Sequence, residues 1–127
     1  MNSFPAWVLA CILSVGIVPA LAQTAPATIA ATAKGKALVD GKGMTLYVFD
    51  RDATGKSNCN GKCANNWLPL SAAPNAAPSG DWTIVTRDDA TKQWAYKGKP
   101  LYTFYKDANP GDVSGDGVND VWHIAAP

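Results

Sequence analysis

A ten-residue stretch that recurs 55 positions later constrains this chain more than any other feature. Gly43-Met44-Thr45-Leu46-Tyr47-Val48-Phe49-Asp50-Arg51-Asp52 lies over Gly98-Lys99-Pro100-Leu101-Tyr102-Thr103-Phe104-Tyr105-Lys106-Asp107. Gly, Leu, Tyr, Phe, a basic residue and Asp fall in register. The same offset carries Ala53 onto Ala108 and Trp67 onto Trp122. Agreement over that span without a net gap marks one structural unit used twice, not an extended array. The units span about residues 37–70 and 92–125.

Each unit reads as β-structure. Leu-Tyr-x-Phe favours a pleated strand, and alternation places Tyr47 and Phe49 on one face and Leu46 and Val48 on the other. In the second unit Tyr102 and Phe104 oppose Leu101 and Thr103 in the same way. Trp82 to Arg87 and Lys92 to Lys97 are two further strands, joined by a turn over Asp88-Asp89-Ala90-Thr91. Ala37 to Val39 and Val121 to Ala125 complete the set. All 10 acidic residues are Asp, whereas a helix-rich chain would draw on Glu. Only Cys63 to Trp67 has room for a helical turn, which Pro69 ends. Ser71 to Asp81, with Pro74, Pro78 and Gly80, is an irregular connection. The expectation is a mainly β, single-domain fold of two duplicated β-hairpin-type units with a short helical turn after the cysteine pair. A length of 127 residues admits one domain.

The amino-terminal apolar run, Trp7 to Ala22, closes on Ala20-Leu21-Ala22 and reads as a signal peptide over residues 1–22, cleaved before Gln23. The run is too short for a comfortable membrane span, so no transmembrane segment is expected after cleavage. Residues 23–36, rich in Ala and Thr without periodicity, read as a flexible leader, which places the folded domain over 37–127. Cys11 leaves with the signal. Cys59 and Cys63 remain, and an even count in an oxidising compartment predicts a disulfide. So short a loop makes it a local staple worth about 2 kcal/mol.

A net charge of +1 leaves no electrostatic footprint for nucleic acid or an anionic membrane surface. His123 is the single histidine, and no nucleophile, base and orienting acid assemble around it in the sequence. The residues therefore favour a non-enzymatic binding or structural module of the cell envelope, acting on an envelope partner or a small ligand. Two alternatives stand beside it. One is a metal-responsive periplasmic protein. Its acidic loop places Asp112, Ser114 and Asp116 at alternate positions before Gly117, as calcium loops do. His123 stands where the bidentate acid would, so Asp120 or Asp107 would complete the Ca²⁺ site. The other is a thiol-disulfide or zinc enzyme built on Cys59, Cys63 and His123. For a flat ligand, Trp94 and Tyr96 alternate on one strand face and form a candidate platform, while Trp67 and Trp122, at equivalent positions, read as core.

The repeated Tyr-x-Phe-x-x-Asp, at Tyr47, Phe49, Asp52 and at Tyr102, Phe104, Asp107, has a structural reading. The aromatics pack the core, and the Asp accepts backbone N–H groups in the following turn. Together with Ser57-Asn58-Cys59-Asn60-Gly61-Lys62-Cys63-Ala64 and Lys92-Gln93-Trp94-Ala95-Tyr96, this motif resembles bacterial secreted proteins and lipoproteins that carry a repeated Tyr-x4-Asp motif. The resemblance covers about Gly43 to Trp122. It implies a periplasmic or extracellular repeat domain from a family without an established activity. One departure is Leu68-Pro69 after the tryptophan, where the family pattern calls for two prolines.

Overall fold

The computed structural model describes residues 25–127; the signal peptide and cleavage site expected from the sequence lie outside the described residues. The first repeat opens with a hairpin of β1 (Thr28–Thr32) and β2 (Gly35–Val39). It continues through β3 (Tyr47–Phe49), helix α1 (Lys62–Asn66) and β4 (Trp67–Pro69). The second repeat runs through β5 (Trp82–Thr86), β6 (Lys92–Tyr96), β7 (Lys99–Pro100), β8 (Tyr102–Phe104), a 3-10 turn (Val118–Asp120) and β9 (Trp122–Ile124). The chain is mainly β, with two repeats and one short helix beside the cysteine pair.

The first strand corrects the flexible leader. Thr28 to Thr32 pairs antiparallel with Gly35 to Val39, Thr28 opposite Val39 and Thr32 opposite Gly35. Gly35, at φ 108°, takes a backbone angle that a side chain would resist, and its carbonyl accepts the Thr32 hydroxyl at 2.6 Å. Ala and Thr carry too little contrast in polarity to display strand alternation, so composition concealed this strand. Its counterpart in the second repeat is β5, so each repeat begins one strand earlier than the motif suggests.

The central sheet has the order β4-β8-β3-β9, antiparallel throughout. Its register explains why the sequence repeats. Tyr47 pairs with Tyr102, its own equivalent. Trp67 pairs with Phe104 just as Trp122 pairs with Phe49, and Leu68 with Thr103 just as His123 pairs with Val48. An antiparallel pair centred on equivalent residues has a local two-fold axis between them, so exchanging the repeats maps the sheet onto itself. The closing strand of each repeat thus pairs with the central strand of the other. Neither repeat completes its own sheet.

Strand alternation divides the interior as the sequence predicts. Tyr47, Tyr102 and Phe104 join Cys59, Trp67 and Trp122 in one buried cluster, with Phe49 packed against it. Leu46 and Leu101 join Ala27, Leu38 and Ala125 in a second, with Val48 packed against it. The first cluster is a continuous ring stack. Phe49 lies on Trp122 at 4.1 Å between centroids, Trp122 on Trp67 at 3.8 Å, and Trp67 on Phe104 at 4.1 Å. Tyr47 meets Trp67 edge-on at 5.4 Å and Tyr102 meets Trp122 edge-on at 5.1 Å, the arrangements aromatic quadrupoles favour. Every contact in this list has its partner under exchange of the repeats.

The loops cross over as well. Gly43 and Gly98 both sit at φ 80° in the turns that precede the motif. A Cβ on Gly98 would lie 2.7 Å from the Thr54 methyl, and one on Gly43 would lie 3.1 Å from Pro110. The Gly55 N–H donates to the Gly98 carbonyl at 2.8 Å, and the Gly111 N–H to the Gly43 carbonyl at 3.3 Å. The loop of each repeat therefore rests on the glycine turn of the other, where a side chain would block the approach.

Cys59 and Cys63 form the expected disulfide, with Cα atoms 5.2 Å apart. Cys59 is wholly buried in the first cluster. Replacing both cysteines with Ala lowers stability by about 2 kcal/mol, roughly 10 °C in Tm for a domain of this size, and leaves it folded. Thermal melts of the double variant check this; complete unfolding at room temperature would show that the bridge does more than staple a loop.

Candidate functional site

The motif residues form two reciprocal latches. The Tyr47 hydroxyl donates to Asp107 Oδ2 at 2.6 Å, and the Tyr102 hydroxyl donates to Asp52 Oδ2 at 2.7 Å. Each tyrosine is thus held by the aspartate of the other repeat. The second carboxylate oxygen closes the loop that follows in its own repeat. Asp52 Oδ1 accepts the Asn58 N–H at 2.7 Å, and Asp107 Oδ1 accepts the Ser114 N–H at 3.1 Å along with the Ser114 hydroxyl. One aspartate ties a turn locally and a strand from the other repeat remotely.

Burial, reinforced by the neighbouring carboxylate, pushes both phenols well above the ordinary tyrosine value. Burial also raises Asp52, against the opposing pull of the Asn58 N–H, the Tyr102 hydroxyl and the Arg87 charge. For Tyr47 and Tyr102 the sign is direct. The unfolded chain gives up these protons near pH 10 while the folded chain retains them, so stability is full below about pH 10 and falls as pH rises beyond it. An alkaline titration should show the phenolate absorbance of Tyr47 and Tyr102 only as the fold is lost. Ionisation of all 4 tyrosines while circular dichroism stays native would contradict this.

Beneath the Tyr102 latch lies a buried polar network. Ser57 Oγ is 2.7 Å from the Tyr102 hydroxyl. Arg87, buried, donates through Nη1 to Ser57 Oγ and Gln93 Oε1 at 2.8 and 2.7 Å, and through Nη2 to the Cys59 carbonyl. Gln93 Nε2 donates to the Leu101 carbonyl at 2.8 Å. The offset places Thr32 opposite Arg87, so this network exists in one repeat only. Sequence reading missed it. The available signal was alternation, which sets Arg87 on the inward face with Val85.

In the acidic loop one oxygen of each of Asp112 and Asp116 is engaged by backbone amides. Asp112 Oδ2 accepts the N–H groups of Ala108 and Asn109, both at 2.9 Å. Asp116 Oδ1 accepts the Ile124 N–H at 3.0 Å. Ser114 is bound to Asp107, and Asp120 stands in the 3-10 turn. Among the described residues, no three His, Cys, Asp or Glu side chains are grouped to hold a metal ion. Asp112 thus closes the loop on its own amides, and Asp116 ties the loop to β9. Nor do Cys59, Cys63 and His123 assemble: the cysteines are bonded to each other, and His123 Nε2 lies 2.8 Å from Asp50 Oδ2.

Trp94 and Tyr96 share one face of β6, where Tyr96, like Trp82, packs in part against the second cluster. In β6, Gln93 and Ala95 point inward, leaving Trp94 and Tyr96 half-buried. Pairing with β5 sets Trp82 opposite Tyr96 and Ile84 opposite Trp94. Trp82 packs against Tyr96 at 4.9 Å and stands nearly perpendicular to Trp94 at 6.2 Å, with an interplanar angle of 85°. Trp82 and Trp94 wall a cleft of about 330 Å³, closed by Asn75, Ser79 and the Ala25-Pro26 segment. Trp82 was missed as a site residue because the cross-strand register that brings it to Trp94 is not written in either strand alone.

No helix among the described residues is long and apolar enough to cross a membrane. No curated protein and no solved structure matches the chain. One family profile, described as a secreted repeat of unknown function, matches twice, over residues 28–71 and 83–126. Both matches start where the structure starts each repeat, at the opening hairpin strand rather than at the motif. With two copies accounting for most of its length, the chain belongs to this family of secreted repeats.

Proposed function

We propose that the protein is a non-enzymatic binding module of the periplasm or extracellular space. Its cleft beside Trp94 takes a flat ligand with polar edges, of which sugar units of an envelope glycan are the best match. The observation that carries this is the unequal use of the tryptophans. Trp67 and Trp122 are buried in the stack, whereas Trp82 and Trp94 keep part of their faces open and meet almost at a right angle. Such a corner offers two apolar ring faces, and Asn75 and Ser79 supply hydrogen-bonding groups at its rim. Ligand sites combine an apolar lining with a few placed polar groups in this way, and the cleft lies at the small end of their volume range.

Tryptophan fluorescence titrated with soluble envelope oligosaccharides tests the reading. A saturable change is expected in the native protein. Trp94→Ala should weaken it by about tenfold or more, a loss of about 1.4 kcal/mol, with an unchanged melt. No saturable change across the panel, or equal binding by Trp94→Ala, would overturn the proposal.

A further inference from the structure

Duplication provides an internal control. A position that the fold requires is filled alike in both repeats; a position free to specialise is not. The ring stack, the latches and the Leu46–Leu101 pair are kept in both copies, but the other positions on the Val48 face of the central sheet are not. Val48 opposite His123 in one repeat pair corresponds to Thr103 opposite Leu68 in the other, and Asp50 corresponds to Tyr105. One end of this face carries the His123–Asp50 pair, while the other exposes Leu68 and Tyr105.

A cleft of about 270 Å³ opens beside His123 and Asp50, where Tyr96, Lys97 and Lys99 meet apolar Val48, Leu101 and Ile124. A second cleft of about 270 Å³ shares Val48, Asp50 and Lys99. The equivalents of Lys99, Tyr96, Asp50 and His123 are Met44, Gly41, Tyr105 and Leu68, while Lys97 falls on Lys42. Of these polar groups only Lys97 keeps its chemistry in the other repeat, so the fold does not demand the other four. Among the described residues neither Lys97 nor Lys99 has a carboxylate within ion-pair distance. Lys97 Nζ lies 5.2 Å from the centre of the Tyr96 ring. Asp50 Oδ2 lies 2.8 Å from His123 Nε2 and fixes the imidazole, leaving Nδ1 as its other polar atom.

We infer that this cleft binds a small organic anion, its carboxylate facing Lys97, Lys99 and His123 and its apolar body lying against Val48 and Ile124, over the buried Leu101. The inference is independent of the aromatic cleft. Trp82 lines that cleft and Tyr96 lines this one, and the two rings stand in contact between them.

Because His123 is the single histidine in the sequence, its ring resonances report the site without ambiguity. Benzoate, benzyl alcohol and inorganic phosphate are titrated into labelled protein and followed at the His123 ring and the Ile124 methyl groups. Benzoate should give saturable shifts, with the other two at least about tenfold weaker. His123→Leu and Lys99→Met install the residues that the other repeat carries at the same places. Each should weaken benzoate by about tenfold while moving Tm by no more than about 2 °C. If either variant fails to fold, Lys99→Gln, at an exposed position, gives the same reading. Absence of a saturable benzoate shift overturns the inference. So does phosphate or benzyl alcohol binding as well as benzoate, which would mean charge alone or apolar surface alone. So does benzoate binding that both folded variants retain.

Discussion

Replacing Trp122 with Ala should lower stability by about 3–5 kcal/mol, enough to leave a domain of this size largely unfolded near physiological temperature. Trp122 is buried, stacks on both Phe49 and Trp67, and receives the edge of Tyr102. Its removal opens a cavity at the centre of the ring stack and takes the partner from three aromatic contacts at once. Trp67→Ala, its equivalent, should behave alike, since Trp67 contacts Phe104, Trp122 and Tyr47 in the corresponding geometry. Denaturant melts of both variants check the magnitude and the equivalence together. A loss below about 1 kcal/mol would place the stack outside the core, since surface substitutions lie in that range.

The next largest effect is expected at Tyr102→Phe. The substitution keeps the ring but removes the hydroxyl that donates to Asp52 and lies against Ser57. Hydrogen bonds to charged groups are worth about 1.5–3 kcal/mol, and a part-buried carboxylate deprived of its donor carries that loss in full. Tyr47→Phe should cost a comparable amount. Asp107 retains the Ser114 hydroxyl and amide on its other oxygen, but the buried Gly115 N–H that donates to the Tyr47 hydroxyl at 3.2 Å loses its acceptor. A loss below about 0.5 kcal/mol in either variant would show that its latch adds nothing to stability.

The part of this architecture that was legible in the sequence depended on strand period. Alternation separates Tyr47 and Phe49 from Leu46 and Val48, and the structure puts the two sets into two clusters. The offset of 55 residues likewise anticipates that Trp67 and Trp122 share an environment. What stayed hidden involves contacts between copies. The Tyr-x4-Asp spacing along the chain does not say that both ends of each motif bond to the other repeat. Nothing in one copy says which copy will receive its closing strand. The acidic loop is a different case. Alternating Asp and Ser specify which side chains are near in sequence but not whether their oxygens converge or turn to nearby amides. In β1, Ala and Thr hid a strand, and its large apolar residue, Ile29, points to solvent at 59% exposure. For the candidate site, Trp94 and Tyr96 were visible as an alternating pair, but Trp82 joins them only through the pairing of β5 with β6.

The central claim is that the duplicated motif holds the domain together by pairing across the repeats. Two double-mutant cycles test it most directly. One combines Tyr47→Phe with Asp107→Asn, the cross-repeat pair; the other combines Tyr47→Phe with Asp52→Asn, the two ends of a single motif. The account predicts a coupling of about 1–2 kcal/mol in the first cycle and additivity within about 0.5 kcal/mol in the second. Coupling confined to Tyr47 and Asp52, with Tyr47 and Asp107 additive, would contradict it.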